Sequence, residues 1–68
     1  MEARALFEAG RVAFIDERFA DALAHFRQAH ELSGRPELLY NIAAALDRID
    51  REAEALAAFR QYLVELPE

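Results

Sequence analysis

Residues 22–29 read ALAHFRQA and residues 55–62 read ALAAFRQY, so six of eight letters return after 33 positions. A period of about 20 to 50 residues is typical of stacked repeats, in which each unit buries its apolar face against its neighbours. The sequence therefore predicts two related units within one chain of 68 residues.

Around the repeated octapeptide, apolar residues recur at i, i+3, i+4 and i+7, which is the period of an amphipathic helix. This spacing predicts four helices over residues 2–15, 17–32, 36–49 and 51–66. Their apolar stripes are Leu6, Ala9, Gly10, Ala13; Phe19, Ala22, Leu23, Phe26, Ala29; Leu39, Ile42, Ala43, Leu46, Ile49; and Ala55, Leu56, Phe59, Tyr62, Leu63, Leu66. Because the turns between them are short, consecutive helices are expected to be antiparallel.

Glycine, proline and polar residues mark the breaks. Gly34 suits the left-handed residue after a helix, and Pro36 suits the first turn of the next. Asp16 is expected to cap the second helix, and Pro67 to close the fourth. Gly10 lies inside a helix at a cost of about 1 kcal/mol relative to alanine, which indicates that another backbone approaches closely there.

Composition excludes several classes of function. The net charge is −5 and all eight cations are arginines, so nucleic acid and anionic membranes are not expected as partners. The chain has no cysteine, which excludes disulfides, thiolate metal sites and a cysteine nucleophile. Its apolar runs are far shorter than the roughly 20 residues of a membrane span, and its N-terminus lacks a signal-peptide profile, so we expect a cytoplasmic protein.

Residue types that carry chemistry are present without the required spacing. His25 and His30 are five apart, about 140° around a helix, so they cannot chelate one metal together. Ser33 has no nearby base in sequence and is better explained by turn chemistry at a helix end. We expect no enzyme activity, metal or cofactor. The remaining charges predict surface pairs at i, i+4: Arg4/Glu8, Arg27/Glu31 and Asp47/Arg51.

Small and aromatic residues occupy matching positions in both units. The first unit has Leu6, Ala9, Gly10, Ala13, Ala22 and Phe26, with Gly34 as its closing residue. The second has Leu39, Ile42, Ala43, Leu46, Ala55 and Phe59, with Pro67 as its closing residue. These positions resemble the tetratricopeptide repeat, a helix-turn-helix unit of about 34 residues with the pattern W-x2-L-G-x2-Y, A-x3-F, P.

The chain departs from that pattern in three ways. Ala13 and Leu46 replace a large aromatic residue, and Glu52 occupies the position in the second unit that Phe19 occupies in the first. The loop between the units is one residue short. The resemblance implies an all-α fold. Two antiparallel helix-turn-helix repeats, residues 3–35 and 36–68, would stack as a short right-handed α-solenoid and form one domain over residues 1–68.

Members of this family bind peptides or protein segments in a concave groove lined by the first helix of each unit. The resemblance therefore implies a protein-interaction module. Its expected groove residues are Arg4, Phe7, Arg11, Phe14, Tyr40, Asn41 and Arg48. Aromatic residues and arginines are common anchors of interfaces, but Phe7 and Phe14 could equally pack into the core. The family's three-unit carboxylate clamp is not expected, because only two units exist and Phe7 stands where its first lysine would be.

The two copies of the octapeptide differ at the end of the stack. Tyr62 and Leu63 replace Ala29 and His30, and Leu66 extends the same patch. These residues would face a third unit, so we expect a homo-oligomer, most simply a dimer, that self-associates through Tyr62, Leu63 and Leu66. The alternative is a spacer or fragment of a longer array with no ligand of its own.

Overall fold

The computed structural model describes residues 2–66, which form four helices and, within that range, no strand. The helices are α1 (Ala3–Ile15), α2 (Phe19–Ser33), α3 (Glu37–Arg48) and α4 (Glu52–Glu65). The predicted all-α fold of four helices is confirmed, with ends within two residues of those expected. Pro67, predicted to close α4, lies outside the described residues, as does the end of the second unit. No helix within residues 2–66 has the length and apolar character needed to cross a bilayer.

The helices pack in chain order, α1 on α2, α2 on α3 and α3 on α4. Each connection is three residues long, which makes consecutive helices antiparallel neighbours. The second helix of the first unit, α2, is therefore covered on two sides, whereas α4 has a major neighbour on one side.

Alanine makes up half of the buried apolar core. The fourteen buried side chains are Leu6, Ala13, Ala22, Leu23, Phe26, Ala29, Leu38, Leu39, Ile42, Ala43, Ala45, Leu46, Ala55 and Ala58. Small side chains let helix axes approach closely, so the core is built by proximity of helices more than by bulk. The first three predicted stripes are buried or half-buried, and the structure adds Leu38 and Ala45 to the third.

The predicted apolar stripe of α4 is wrong at its outer positions. Leu56 and Leu63 are exposed, and Ala58 takes a buried position instead. The reason is that α4 buries only the face turned to α3. Leu56 has the sequence context of Leu23 but lacks the neighbouring helix that covers Leu23.

Gly10 of α1 lies directly against the Phe26 ring of α2. A Cβ atom built on Gly10 would lie 2.7 Å from both Cδ1 and Cε1 of Phe26. The close approach expected at Gly10 is therefore present, but the nearest atoms belong to an aromatic ring and not to the expected backbone. Phe26 is 3% exposed, so its ring fills the space that a side chain at residue 10 would need.

The turns within the two units have the same backbone geometry. Glu17 and Asp50, 33 residues apart, are both left-handed, each with φ of 61°. The next residues, Arg18 and Arg51, donate their backbone N–H groups to carbonyls five residues earlier, at 2.8 and 3.0 Å. This is the Schellman arrangement, which satisfies the last carbonyls of a helix. The sequence repeat is thus also a repeat of local structure.

The residues that begin and end the helices differ in part from those expected. Asp16 is the C-cap of α1 and not the N-cap of α2, because the turn extends to Arg18, which lies at the N-cap without a capping side-chain hydrogen bond. Gly34 is left-handed after α2, as predicted, with φ of 66°. Pro36 has helical dihedral angles and directly precedes α3.

We predict that Gly10→Ala lowers the free energy of unfolding by roughly 1 kcal/mol. Overpacking against the Phe26 ring costs about 1–3 kcal/mol, and the higher helix propensity of alanine offsets up to about 1 kcal/mol. Urea denaturation followed by circular dichroism measures the change. Adding Phe26→Leu should relieve the clash, so the double variant should lose less stability than the sum of the single variants. Additive losses would contradict the contact as the cause.

We predict that Glu17→Gly raises the free energy of unfolding by about 0.5–1 kcal/mol. A left-handed conformation is strained for a residue with a Cβ, and glycine relieves that strain at some cost in chain entropy. Asp50→Gly should gain less, because aspartate tolerates this region better than glutamate. The matched control is Gly34→Ala, which meets no atom within 4 Å and should lose about 1 kcal/mol through its backbone alone. If thermal or urea unfolding shows that Glu17→Gly destabilises the chain, the proposal that Glu17 is strained in its left-handed conformation is wrong.

Candidate partner-binding groove

A groove of about 560 Å³ opens between the N-terminal halves of α1 and α3. We call it the α1–α3 groove. Because α2 is antiparallel to both helices, its C-terminal end and the connection to α3 close one end of the groove. The lining residues are Ala3, Arg4, Phe7, Glu8, Ser33, Arg35, Glu37, Leu38 and Asn41.

Three of the seven predicted groove residues meet in this groove: Arg4 and Phe7 from α1, and Asn41 from α3. Phe7 also packs on the core, with its ring centroid 6.0 Å from that of Phe26. Both interpretations of Phe7 therefore describe part of its environment, since it rests on the core and forms a groove wall.

The polar groups of the groove divide into paired and unpaired ones. Arg35 pairs with Glu37 at 3.4 Å, and Glu8 pairs with Arg11 at 3.4 Å. Within residues 2–66, the Arg4 guanidinium has no carboxylate partner and the Asn41 amide makes no hydrogen bond. A guanidinium and an amide beside apolar surface can thus be offered to a ligand.

Phe14 and Arg48 lie outside the groove, in a cluster with Phe19. The Phe14 and Phe19 rings pack edge to face, with centroids 5.0 Å apart. The Arg48 guanidinium carbon lies 5.5 Å from the Phe14 centroid and 5.1 Å from the Phe19 centroid. This cation–π contact ties α3 to the turn between α1 and α2. Arg11, the remaining predicted residue of α1, is exposed and does not line the groove.

Tyr40 and Tyr62 form a second aromatic cluster, with Phe59. The Tyr40 ring centroid lies 5.6 Å from that of Phe59 and 5.7 Å from that of Tyr62. Tyr62, predicted to face a third unit, is therefore half-buried against α3 of its own unit. Leu63 and Leu66, predicted to belong to the same patch, are exposed at 67% and 37%.

Sequence reasoning missed the groove residues Arg35 and Leu38 and gave Ser33 no place in it. Leu38 is buried. No sequence pattern distinguished it, because it directly precedes Leu39, the first residue of the predicted stripe. Ser33 donates its hydroxyl to the Ala29 carbonyl at 2.8 Å and accepts the Arg35 backbone N–H at 3.3 Å, as expected for helix-end chemistry. The antiparallel course of α2 was the available signal, because it brings this connection to the start of α1 and α3.

The predicted i, i+4 ion pairs do not form within residues 2–66. Arg27 instead reaches Glu54 of α4, with 3.5 Å between Nη2 and Oε2. Glu54 also accepts two hydrogen bonds from Arg51, each 2.8 Å long. Arg27 therefore pairs with a carboxylate that tertiary packing brings close, and this ion pair links the second helices of the two units.

Comparisons of the chain with protein-family models, curated proteins and solved structures found no match. The resemblance to the tetratricopeptide repeat therefore remains a prediction from the residue pattern.

We predict that Arg48→Gln lowers the free energy of unfolding by about 0.5–1 kcal/mol, the worth of an exposed cation–π contact. Glutamine keeps much of the aliphatic stem and removes the charge over Phe14 and Phe19. The control is Arg11→Gln, which removes only an exposed ion pair and should change stability by less than about 0.5 kcal/mol. Equal unfolding curves for Arg48→Gln and the unaltered chain would contradict the contribution of this contact.

Proposed function

We propose that this chain is a two-repeat tetratricopeptide-like module, a short right-handed α-solenoid, that binds a peptide or protein segment in the α1–α3 groove and self-associates through its uncovered ends. The assignment to repeats is supported by the 33-residue return of both letters and turns. Glu17 and Asp50 share one unusual backbone conformation at one position of the repeat.

The stacked arrangement is supported by the order and depth of the helices. Major contacts run between sequential helices, and the Cα atoms extend over 31 × 28 × 15 Å. Packed helix axes are about 8–10 Å apart and Cα atoms lie about 2.3 Å from an axis. The shortest dimension therefore suits two layers of helices, with the first helices in one layer and the second helices in the other.

The groove favours a segment that combines an apolar side chain with a hydrogen-bonding backbone and a nearby carboxylate. Phe7 supplies apolar surface, together with the small exposed part of the buried Leu38. The Asn41 amide can both donate to and accept from a peptide backbone, and the Arg4 guanidinium can bind a carboxylate through two parallel hydrogen bonds. The net charge of −5 opposes a strongly acidic ligand, so one carboxylate close to Arg4 is the best match.

The unpaired Arg4 and Asn41 beside Phe7 are the observation on which the groove proposal depends. We predict that random peptides displayed on phage and selected on the immobilised chain will share an apolar residue near an acidic one. Synthetic versions of the selected peptides would then be measured by fluorescence anisotropy. Arg4→Ala and Asn41→Ala should each weaken binding about tenfold, in line with the loss of one or two hydrogen bonds to a charged or amide group.

Arg18→Ala is the matched control, because Arg18 lies outside the groove and pairs with Asp16 and Asp21, which also lie outside it, and the change should alter affinity less than twofold. Arg4→Lys separates charge from shape, since lysine keeps the charge and loses the planar fork. Phe14 is unsuitable as a probe because it packs on Phe19. Selected peptides that bind the Arg4→Ala/Asn41→Ala double variant as well as the unaltered chain would refute the groove.

The second candidate is a spacer or fragment within a longer array, without a ligand of its own. The exposed outer side of α4 favours it, because a further unit could cover that side. This candidate predicts that no peptide is enriched over empty beads and that the isolated chain remains a monomer.

A further inference from the structure

A stripe of apolar residues on α4 is uncovered although its counterpart on α2 is buried. Leu56 and Leu63 are 51% and 67% exposed, and with Arg60 and Val64 they lie at i, i+4, i+7 and i+8. We call these four residues the α4 outer face. Leu23, which is 33 residues before Leu56, is 4% exposed on α2, a helix that packs on α3 as well as on α1. The α4 outer face thus repeats one half of the α2–α3 contact.

The other half of that contact is uncovered on α1. Leu38 and Ala45 lie seven positions apart on one side of α3, which packs on both α2 and α4, and they are 5% and 0% exposed. Their counterparts 33 residues earlier are Ala5 and Val12, which are both exposed, Val12 by 47%. Ala5 and Val12, with the half-buried Ala9 between them, form what we call the α1 outer face. The two ends of the chain therefore carry the two complementary halves of an interface that the chain already makes once internally.

Charges repeat in the same way. Arg27 of the first unit pairs with Glu54 of the second unit. The counterpart of Arg27 is Arg60, which has no carboxylate partner within residues 2–66. The counterpart of Glu54 is Asp21, which has an exposed side chain and contacts Arg18 at 3.8 Å, as Glu54 contacts Arg51. A unit placed beyond α4 in the same register would bring an acidic residue to Arg60.

We propose that the α4 outer face of one copy binds the α1 outer face of a second copy, repeating the α2–α3 contact and pairing Arg60 with Asp21 of that copy. This inference specifies the self-association part of the proposed function and does not depend on the α1–α3 groove.

The polarity of the α4 outer face fits this arrangement. On α4, the apolar Leu63 and Val64 replace the polar His30 and the charged Glu31 of α2. On α1, Ala5 and Ala9 are smaller than their counterparts Leu38 and Ile42, whereas Val12 is larger than Ala45. The α4 outer face is therefore more apolar than the α2 face that it repeats, which favours its burial against another apolar face.

A two-fold contact of α4 with α4 of a second copy is disfavoured by charge. Arg60 lies in the middle of the outer face, between Leu56 and Leu63. In an antiparallel two-fold pair, the middle residue of one helix meets the same residue of the other copy. Two arginine side chains would then lose water while facing a like charge, which is unfavourable. The contact of α4 with α1 replaces that repulsion with an arginine–aspartate pair.

A contact between unlike faces leaves one free face at each end, so it generates an open series unless the rotation closes a ring. Light scattering coupled to size exclusion, across a concentration series, should show the mean mass of the unaltered chain rising beyond two chains without a plateau at the dimer. If the chain remains a monomer at all concentrations up to about 1 mM, any association is weaker than about −4 kcal/mol. That result would overturn the proposal.

Two blocked variants determine which faces meet. Val12→Asp blocks the α1 outer face and Leu63→Asp blocks the α4 outer face. Each alone should be a monomer, and their equimolar mixture should form a dimer that grows no further, because one intact face of each kind remains. Dimers formed by Val12→Asp alone would show an α4–α4 contact and overturn the proposal, as would a mixture that stays monomeric while the unaltered chain associates. Circular dichroism checks that both variants fold.

Cross-linking tests the register without disturbing the apolar residues. The chain has no cysteine, so single cysteines can be introduced cleanly. A short bifunctional maleimide should join an Arg60→Cys copy to an Asp21→Cys copy in a mixture and should give little product with either variant alone. A mixture that gives no more cross-linked dimer than the two variants give alone would overturn the proposal, even if an aspartate variant failed to fold. Loss of peptide binding in the groove variants alters none of these readouts, so failure of either site is recognised separately.

Discussion

The contact of the Phe26 ring with Gly10 is the constraint on which the rest of the first unit depends. The missing side chain at residue 10 lets the ring lie directly on α1, where a Cβ atom would be only 2.7 Å away. Phe7 packs on another part of Phe26. The position of the wall of the α1–α3 groove therefore follows from how closely α1 approaches α2, and a glycine in a helix interior, which is locally unfavourable, is offset by the packing it permits.

The second unit packs differently at the equivalent position. Ala43 stands where Gly10 stands, and Phe59, the counterpart of Phe26, is half-buried and not fully enclosed. Tyr40 contacts Phe59 as Phe7 contacts Phe26, and Tyr62 adds a further ring to this cluster. A larger aromatic cluster thus accompanies a crossing position that carries one more methyl group. The backbone repeat is preserved while the side chains that cover it differ.

Binding and assembly use different surfaces under our proposals. The groove lies between the first helices of the two units, whereas the outer faces lie at the two ends of the row of helices. A head-to-tail contact would place α1 of one copy beside α3 of another, in the relation that α1 and α3 have within one chain. The proposed assembly would therefore leave each groove open and form a similar groove at every junction between copies, so a long or multivalent ligand would gain from it.

The sequence by itself determined the four helices, the sites of the turns and the small residues at the crossings, because the helical period and the turn residues act over a few neighbouring positions. Only the tertiary structure decided that Leu23 is buried while Leu56 is exposed, since two closely similar local sequences differ in whether another helix covers them. It also decided that Arg27 reaches Glu54, and that Phe14 packs with Phe19 beneath Arg48 outside the groove. Such choices depend on partners far apart in the chain, and letters read in order do not contain the distances between them.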